Sequence, residues 1–246
     1  KLKLLMAFFA FLGIGGIAKA QTPTYQLYFT NVVASENTIT WDAYLLRTGA
    51  TELQLATIQF GFGYDLAILN GGTLTASILP GFSELPPTMQ PTSINVGAVS
   101  YTTSVQNPFI PAGQTHRFIN VAAKAPPGAG SGPLISSTDG GCGSKGTRIG
   151  RFRITNTANW TPNSKMNQVF SSNATQSGKT KTQVNAYVGT TNTNVTVDAN
   201  HFSYNVVGTC DQNIILNPVA TCAVTGSATT TAVTCFGNTD GSAEIT

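Results

Sequence analysis

Charge is what this chain has least of. Only 9% of its residues are Asp, Glu, Lys or Arg, against about 25% in ordinary globular proteins. Histidine is nearly absent: His116 and His201 stand alone, neither in an H-E-x-x-H pattern nor beside a cysteine. No serine lies in a G-x-S-x-G elbow, because the GAGSG of Gly128 to Gly132 has the wrong register. Cys142, Cys210, Cys222 and Cys235 contain no C-x-x-C spacing, which removes them as a zinc set. The turn GNTDG at Gly237 to Gly241 lacks the alternating oxygen ligands and closing Glu of a calcium loop. The carboxylates Glu36, Asp42, Glu52, Asp65 and Glu84 are scattered. A glycosidase needs two of them about 5–10 Å apart, and no motif pairs them. The expectation is a protein that is not an enzyme, with no catalytic residue, no metal and no cofactor.

Long hydrophobic runs are missing too. The longest apolar stretch, Leu4 to Ile17, is broken by Gly13, Gly15 and Gly16 and is shorter than the roughly 18 residues a membrane-spanning helix needs. It follows Lys1 and Lys3 and precedes Ala18-Lys19-Ala20, the basic, apolar, small-x-small order of a secretory signal peptide over residues 1–20. Cleavage after Ala20 removes Lys1, Lys3 and Lys19, so the formal charge of +3 falls to zero. The basicity therefore belongs to the export signal. Neither nucleic acid nor, after cleavage, membrane insertion is expected as a partner. Export into an oxidising compartment permits disulfides, and four cysteines allow three full pairings. Cys210 and Cys222 frame one short segment, which makes them the expected pair; Cys142 and Cys235 are then unpaired or joined elsewhere.

What the chain does have is period-2 alternation. In ENTITWDAYLLRTG, Ile39, Trp41, Ala43 and Leu45 point one way; in TIQFGFGYD, Ile58, Phe60, Phe62 and Tyr64 share a face. Asn70-Gly71-Gly72 reads as a hairpin turn between two apolar runs. Further strands are expected in TSINVGAVSYTTSV, HRFINVAA, TRIGRFRITN, TQVNAYVG, NVTVDA and HFSYNVV, separated by Pro- and Gly-rich loops. The expected fold class is all-β, an antiparallel β-sandwich of cohesin-like or jelly-roll type. Residues 21–208 make the sandwich, 209–223 a linker with the disulfide, and 224–246 a separate, truncated β-unit. Trp41, Phe60, Phe62, Phe152 and Ile154 are its expected core.

Three residues stand out as ligand-binding candidates. In RFRI, Phe152 and Ile154 face inward and leave Arg151 and Arg153 side by side, a pair able to hold an anionic sugar or phosphate. They belong to the chain's one basic cluster, with Lys145 and Arg148; the alternative is a solvated strand face. Trp160, in the polar loop NTANWTPNS, is a candidate stacking platform for a sugar. Its alternative is a loop anchor.

The C-terminal TTTAVTCFGNTDGSAEIT resembles the start of an SprB repeat, a β-rich unit arrayed in large surface proteins of Bacteroidetes. The resemblance is carried by Val233 to Gly237, by Asp240-Gly241-Ser242-Ala243 and by Glu244-Ile245-Thr246. It implies that the chain stops inside a repeat. The larger N-terminal region is similar to a cohesin-like sandwich in YQLYFTNV, ITWDAYLLRTG, LATIQFGFGYD, NGGTLTASILPG and GTRIGRFRITNT. Together these resemblances imply type IX secretion and attachment at the cell surface. The expected role is the head region of an adhesin or surface-interaction protein. Its partners would be a glycan or surface protein and downstream repeats of the same chain. The alternatives are a carbohydrate-binding module of a polysaccharide-degrading enzyme and a purely structural stalk domain.

Overall fold

The computed structural model describes residues 21–91, 94–95, 116–125, 128–141, 146–171, 181–202, 214–217, 228–231 and 242–245. The signal peptide, Lys145 and all four cysteines, with the Cys210–Cys222 pairing, lie outside these residues.

The fold is all-β. In chain order the strands begin with β1 (Tyr25–Ala34), β2 (Thr38–Arg47), β3 (Leu55–Asp65), β4 (Leu74–Leu79) and β5 (Ile94–Asn95). Next come β6 (His116–Lys124), β7 (Thr147–Asn156), β8 (Ser164–Lys165), β9 (Val169–Phe170) and β10 (Gln183–Val188). The last five are β11 (Thr191–Asn194), β12 (His201–Phe202), β13 (Ile215–Leu216), β14 (Ala228–Thr231) and β15 (Ser242–Ile245). A five-stranded sheet runs β12-β1-β2-β7-β4, and a six-stranded sheet runs β11-β10-β3-β6-β5 with β9 also on β3. Pairing is antiparallel except between β1 and β12. Only short 3-10 turns interrupt the described residues; no longer helix is present among them.

The alternation read from the sequence is the alternation observed. Trp41, Phe60, Phe62, Phe152 and Ile154 are all buried in one core. Trp41 stacks on Phe62 across the two sheets at a centroid distance of 4.2 Å, and Phe29 meets Phe62 edge-on at 4.9 Å. Phe60 and Phe152 add a T-shaped contact at 5.7 Å. Edge-on and offset pairs of this kind add about 0.5–1.5 kcal/mol each beyond simple burial. Gly150 faces this cluster, and a Cβ there would meet the Phe152 ring at 3.0 Å. The small residue thus makes room for its neighbour's ring.

One turn departs from expectation. Asn70 and Gly71 do adopt positive φ (47° and 77°), but they do not close a hairpin. Leu66–Leu69 forms a 3-10 turn whose first free N–H, on Ala67, is accepted by Asp65 Oδ1 at 3.0 Å. Ile68 is buried beneath it. The chain is thereby redirected, and β4 pairs with β7 in the other sheet.

The stretch read as a linker contributes to the sandwich. β13 pairs with β8, Leu216 is fully buried and Ile214 packs on the core. Beyond it, β14 and β15 form a two-stranded antiparallel unit with Ala228 opposite Ile245.

Candidate functional site

The densest set of charges among the described residues sits on the outer side of the five-stranded sheet. Its centre is Asp42, on β2, with no solvent exposure. Register places Asp42 directly opposite Arg151 of β7. Arg151 donates from Nε to Oδ1 at 2.7 Å and from Nη2 to Oδ2 at 2.8 Å, a bidentate geometry that only a planar guanidinium supplies. This bond to Asp42 raises the Arg151 pKa further.

Two backbone irregularities complete the site. The β2–β7 register shifts so that Ala43 opposes Gly150 while Tyr44 opposes Arg148. A bulge of this sort re-aims side chains: here it brings Arg148 to the same face as Arg151, three residues away. Arg148 Nη1 lies 3.7 Å from Asp42 Oδ2 and its Nη2 lies 3.9 Å from Glu84 Oε1. On β1, a second register shift between Thr30 and Val33 encloses Asn31 at φ 53°. Asn tolerates this left-handed conformation better than most residues, and its Nδ2 donates to Asp42 Oδ2 at 2.8 Å.

A loop then closes over the charges. Phe82, just past β4, lies 4.3 Å from the Arg151 guanidinium and 5.6 Å from that of Arg148. Glu84 Oε2 accepts the backbone N–H of Arg148 at 2.9 Å, and Glu84 N–H donates to Arg148 O at 2.9 Å. Tyr44 stacks on Tyr28 at 5.8 Å, and burial raises its pKa. Two guanidinium groups therefore face two carboxylates, and the cluster is neutral. It is a clasp that fastens the 80–91 loop to the sheet.

This geometry corrects the reading of Arg151 and Arg153 as a cationic pair. Phe152 and Ile154 do face inward, but Arg151 is engaged by Asp42, and only Arg153 is exposed. The sequence could not show that the cross-strand neighbour of Arg151 is a buried carboxylate. Trp160 is corrected as well. It is wholly buried, its backbone N–H donates to Glu36 O at 2.8 Å, and its backbone carbonyl accepts from Asn217 Nδ2 at 3.0 Å. A ring with no exposed face cannot stack on a sugar; Trp160 is a loop anchor.

Sequence reasoning missed a second buried polar group. His201 Nε2 is 2.9 Å from Tyr25 Oη, and its Nδ1 is 3.8 Å from Asp198 Oδ1. Its side chain is only 3% exposed and packs against Phe170. Burial pushes its pKa down to about 4, against a smaller opposing pull from Asp198. Burial also pushes Tyr25 up to about 12. The pair ties the parallel strand β12 to β1, with the Val197 N–H donating to Tyr25 Oη at 3.2 Å. Nothing in the sequence around His201 marks it, because Tyr25 is 176 positions away.

Asp65, another of the scattered carboxylates, caps its turn and accepts from Asn167 Nδ2 at 3.3 Å. Among the described residues no three His, Cys, Asp or Glu side chains cluster as a metal set, and no helix is long and apolar enough to cross a membrane. Compared with known proteins, the sequence matches no protein-family model and no curated protein.

Proposed function

We propose that this chain is the non-catalytic head region of an exported cell-surface adhesion protein, a rigid sandwich that meets its partner through uncharged surface. The observation that carries the reading is how the charged groups are engaged. Asp42, Arg148, Arg151 and Glu84 neutralise one another, Asp65 caps a turn, and His201 is held neutral by burial. Charges fixed in this way stiffen a scaffold and are not poised for proton transfer, which needs a group in reach of a substrate with a pKa near the working pH. The signal-like N-terminus and the resemblance to repeat-bearing surface proteins supply the cellular setting.

The test is adherence without turnover. Beads carrying the full chain are presented to surfaces coated with polysaccharide or with protein, and soluble products are assayed in parallel. Retention with no released product is the expected result. Release of oligosaccharide or peptide by the pure chain would overturn the reading.

A further inference from the structure

We propose that the His201–Tyr25 contact is a latch that fastens β12 to β1 at neutral pH and lets residues 197–202 detach in mild acid while the rest of the sandwich stays folded. The segment it holds is built lightly. β12 is two residues long, lies at the edge of the five-stranded sheet and pairs in parallel, with Leu27 opposite His201 and Tyr28 opposite Phe202. Parallel ladders are slightly weaker per residue than antiparallel ones. The 3-10 turn Asp198–Asn200 that leads into β12 buries no residue and has no side-chain cap. Val197, just before it, is exposed. Edge segments with few buried contacts open at a lower free energy than the whole fold.

The imidazole is what turns this segment inward. Its side chain is only 3% exposed, and the ring lies 5.7 Å from the Phe170 ring of β9 and 5.9 Å from the Tyr25 ring of β1. It therefore touches both sheets. Nε2 stands 2.9 Å from Tyr25 Oη. That oxygen already accepts the Val197 N–H at 3.2 Å, which leaves the tyrosine proton for Nε2. A neutral imidazole fits this site as an acceptor.

A protonated one does not. Nε2 would become a second donor to the same oxygen, and the tyrosine proton would have no acceptor among the described residues. The groups facing the ring offer little in return. From β1 comes the Tyr25 hydroxyl, which burial keeps protonated, and from β9 comes Phe170, which carries no charge. From the 3-10 turn comes Asp198, 3.8 Å from Nδ1 and more than a third exposed. Its pull is smaller than the effect of burial, which holds His201 down to about 4. Once the segment opens, the ring returns to water and to its ordinary 6.5. Between those two values the open form binds a proton that the closed form does not. Opening therefore becomes more favourable as pH falls, by roughly a hundredfold from pH 7 to pH 4. Below that it levels off.

The experiment follows amide exchange in the full chain by NMR, with rates corrected for the intrinsic pH dependence of exchange. Val197, Asn200 and His201 are the reporters, because their N–H groups bond to Tyr25 Oη, Val197 O and Asp198 O. Phe60 and Phe62, in the middle of β3, are the reference. Protection of the reporters should fall roughly a hundredfold from pH 7 to pH 4, and that of the reference far less. His201→Gln should keep the protection seen at pH 7 and abolish the fall. Tyr25→Phe should lower protection already at pH 7, because Val197 and the ring both lose a partner. Constant protection of the reporters overturns the latch. So does an equal fall in β3, which would make the response global, and so does a fall that survives in His201→Gln. Should that variant not fold, the His201 Cε1 shift in the parent chain decides. Titration near 6.5 with unchanged reporter protection overturns the latch; titration well below it, in step with the loss of protection, supports it.

Discussion

The two sheets use opposite chemistry outside a shared core. β7 carries three arginines within six positions, Arg148, Arg151 and Arg153, and two of these are locked around a carboxylate with no exposure. The hairpin from Gln183 to Asn194 carries no charged residue at all. The first surface is held by a few strong, directional bonds; the second by backbone pairing and by hydroxyl and amide contacts. The difference teaches where a protein so poor in charge places the little it has. It buries one carboxylate, Asp42, completely and sets two partly buried arginines against it, where each bond counts for more than at the open surface. The uncharged hairpin is left facing solvent.

The largest break in this contrast should come from Arg151→Ala. It strands a fully buried carboxylate that keeps the Asn31 amide at 2.8 Å and Arg148 at 3.7 Å. Losing one partner of a buried pair costs about 3–5 kcal/mol, and a urea titration should show it as an early midpoint. A loss under about 1 kcal/mol would mean that Arg148 moves in to replace it, and the clasp would then be two interchangeable arginines.

Acid should come next. The unfolded chain protonates His201 near the ordinary 6.5, whereas the folded chain holds it neutral down to about 4. Within that window the unfolded state binds more protons, so stability falls as pH drops from 6.5 to 4 and falls no further through this group below it. The loss amounts to roughly 3–3.5 kcal/mol at most. His201→Gln, which keeps a hydrogen-bonding partner for Tyr25, should flatten this part of the profile. An unchanged slope in that variant would show that His201 is not the group that makes the fold acid-sensitive.

Smaller effects sharpen the picture. Phe82→Ala removes the ring over both guanidinium groups and should cost on the order of 1 kcal/mol. The same variant should speed amide exchange in the 80–91 loop while leaving Gln183–Val188 unchanged. Arg153→Ala should stay within about 0.5 kcal/mol of the parent, as exposed substitutions do. A larger loss from Arg153→Ala than from Phe82→Ala would reverse the assignment of which arginine matters.

Much of the fold was legible in the chain. Period-2 patterning identifies β2, β3 and β7 and puts Trp41, Phe60, Phe62, Phe152 and Ile154 inside, because a buried sheet face must be apolar at every second residue. What alternation cannot reveal is the partner across the strand. Asp42 and Arg151 lie 109 positions apart, and only register brings them together. The bulge that turns Arg148 outward breaks the very period used to read the strand. Trp160 misleads for a related reason: its sequence neighbours are polar, but it is buried in the core and held by Glu36 and Asn217, both far away in the chain.

The sequence by itself determined the class of fold, the composition of the core and the shortage of charge. Each is set by local pattern or by counting, and none needs to know what lies beside what. Tertiary structure alone decided that β4 crosses to the other sheet, that Leu216 returns to the core and that the arginines are neutralised. It also decided that His201 is held neutral by burial against Tyr25 and Phe170. These are long-range juxtapositions, and their free energy depends on register and burial that no window of neighbouring residues contains.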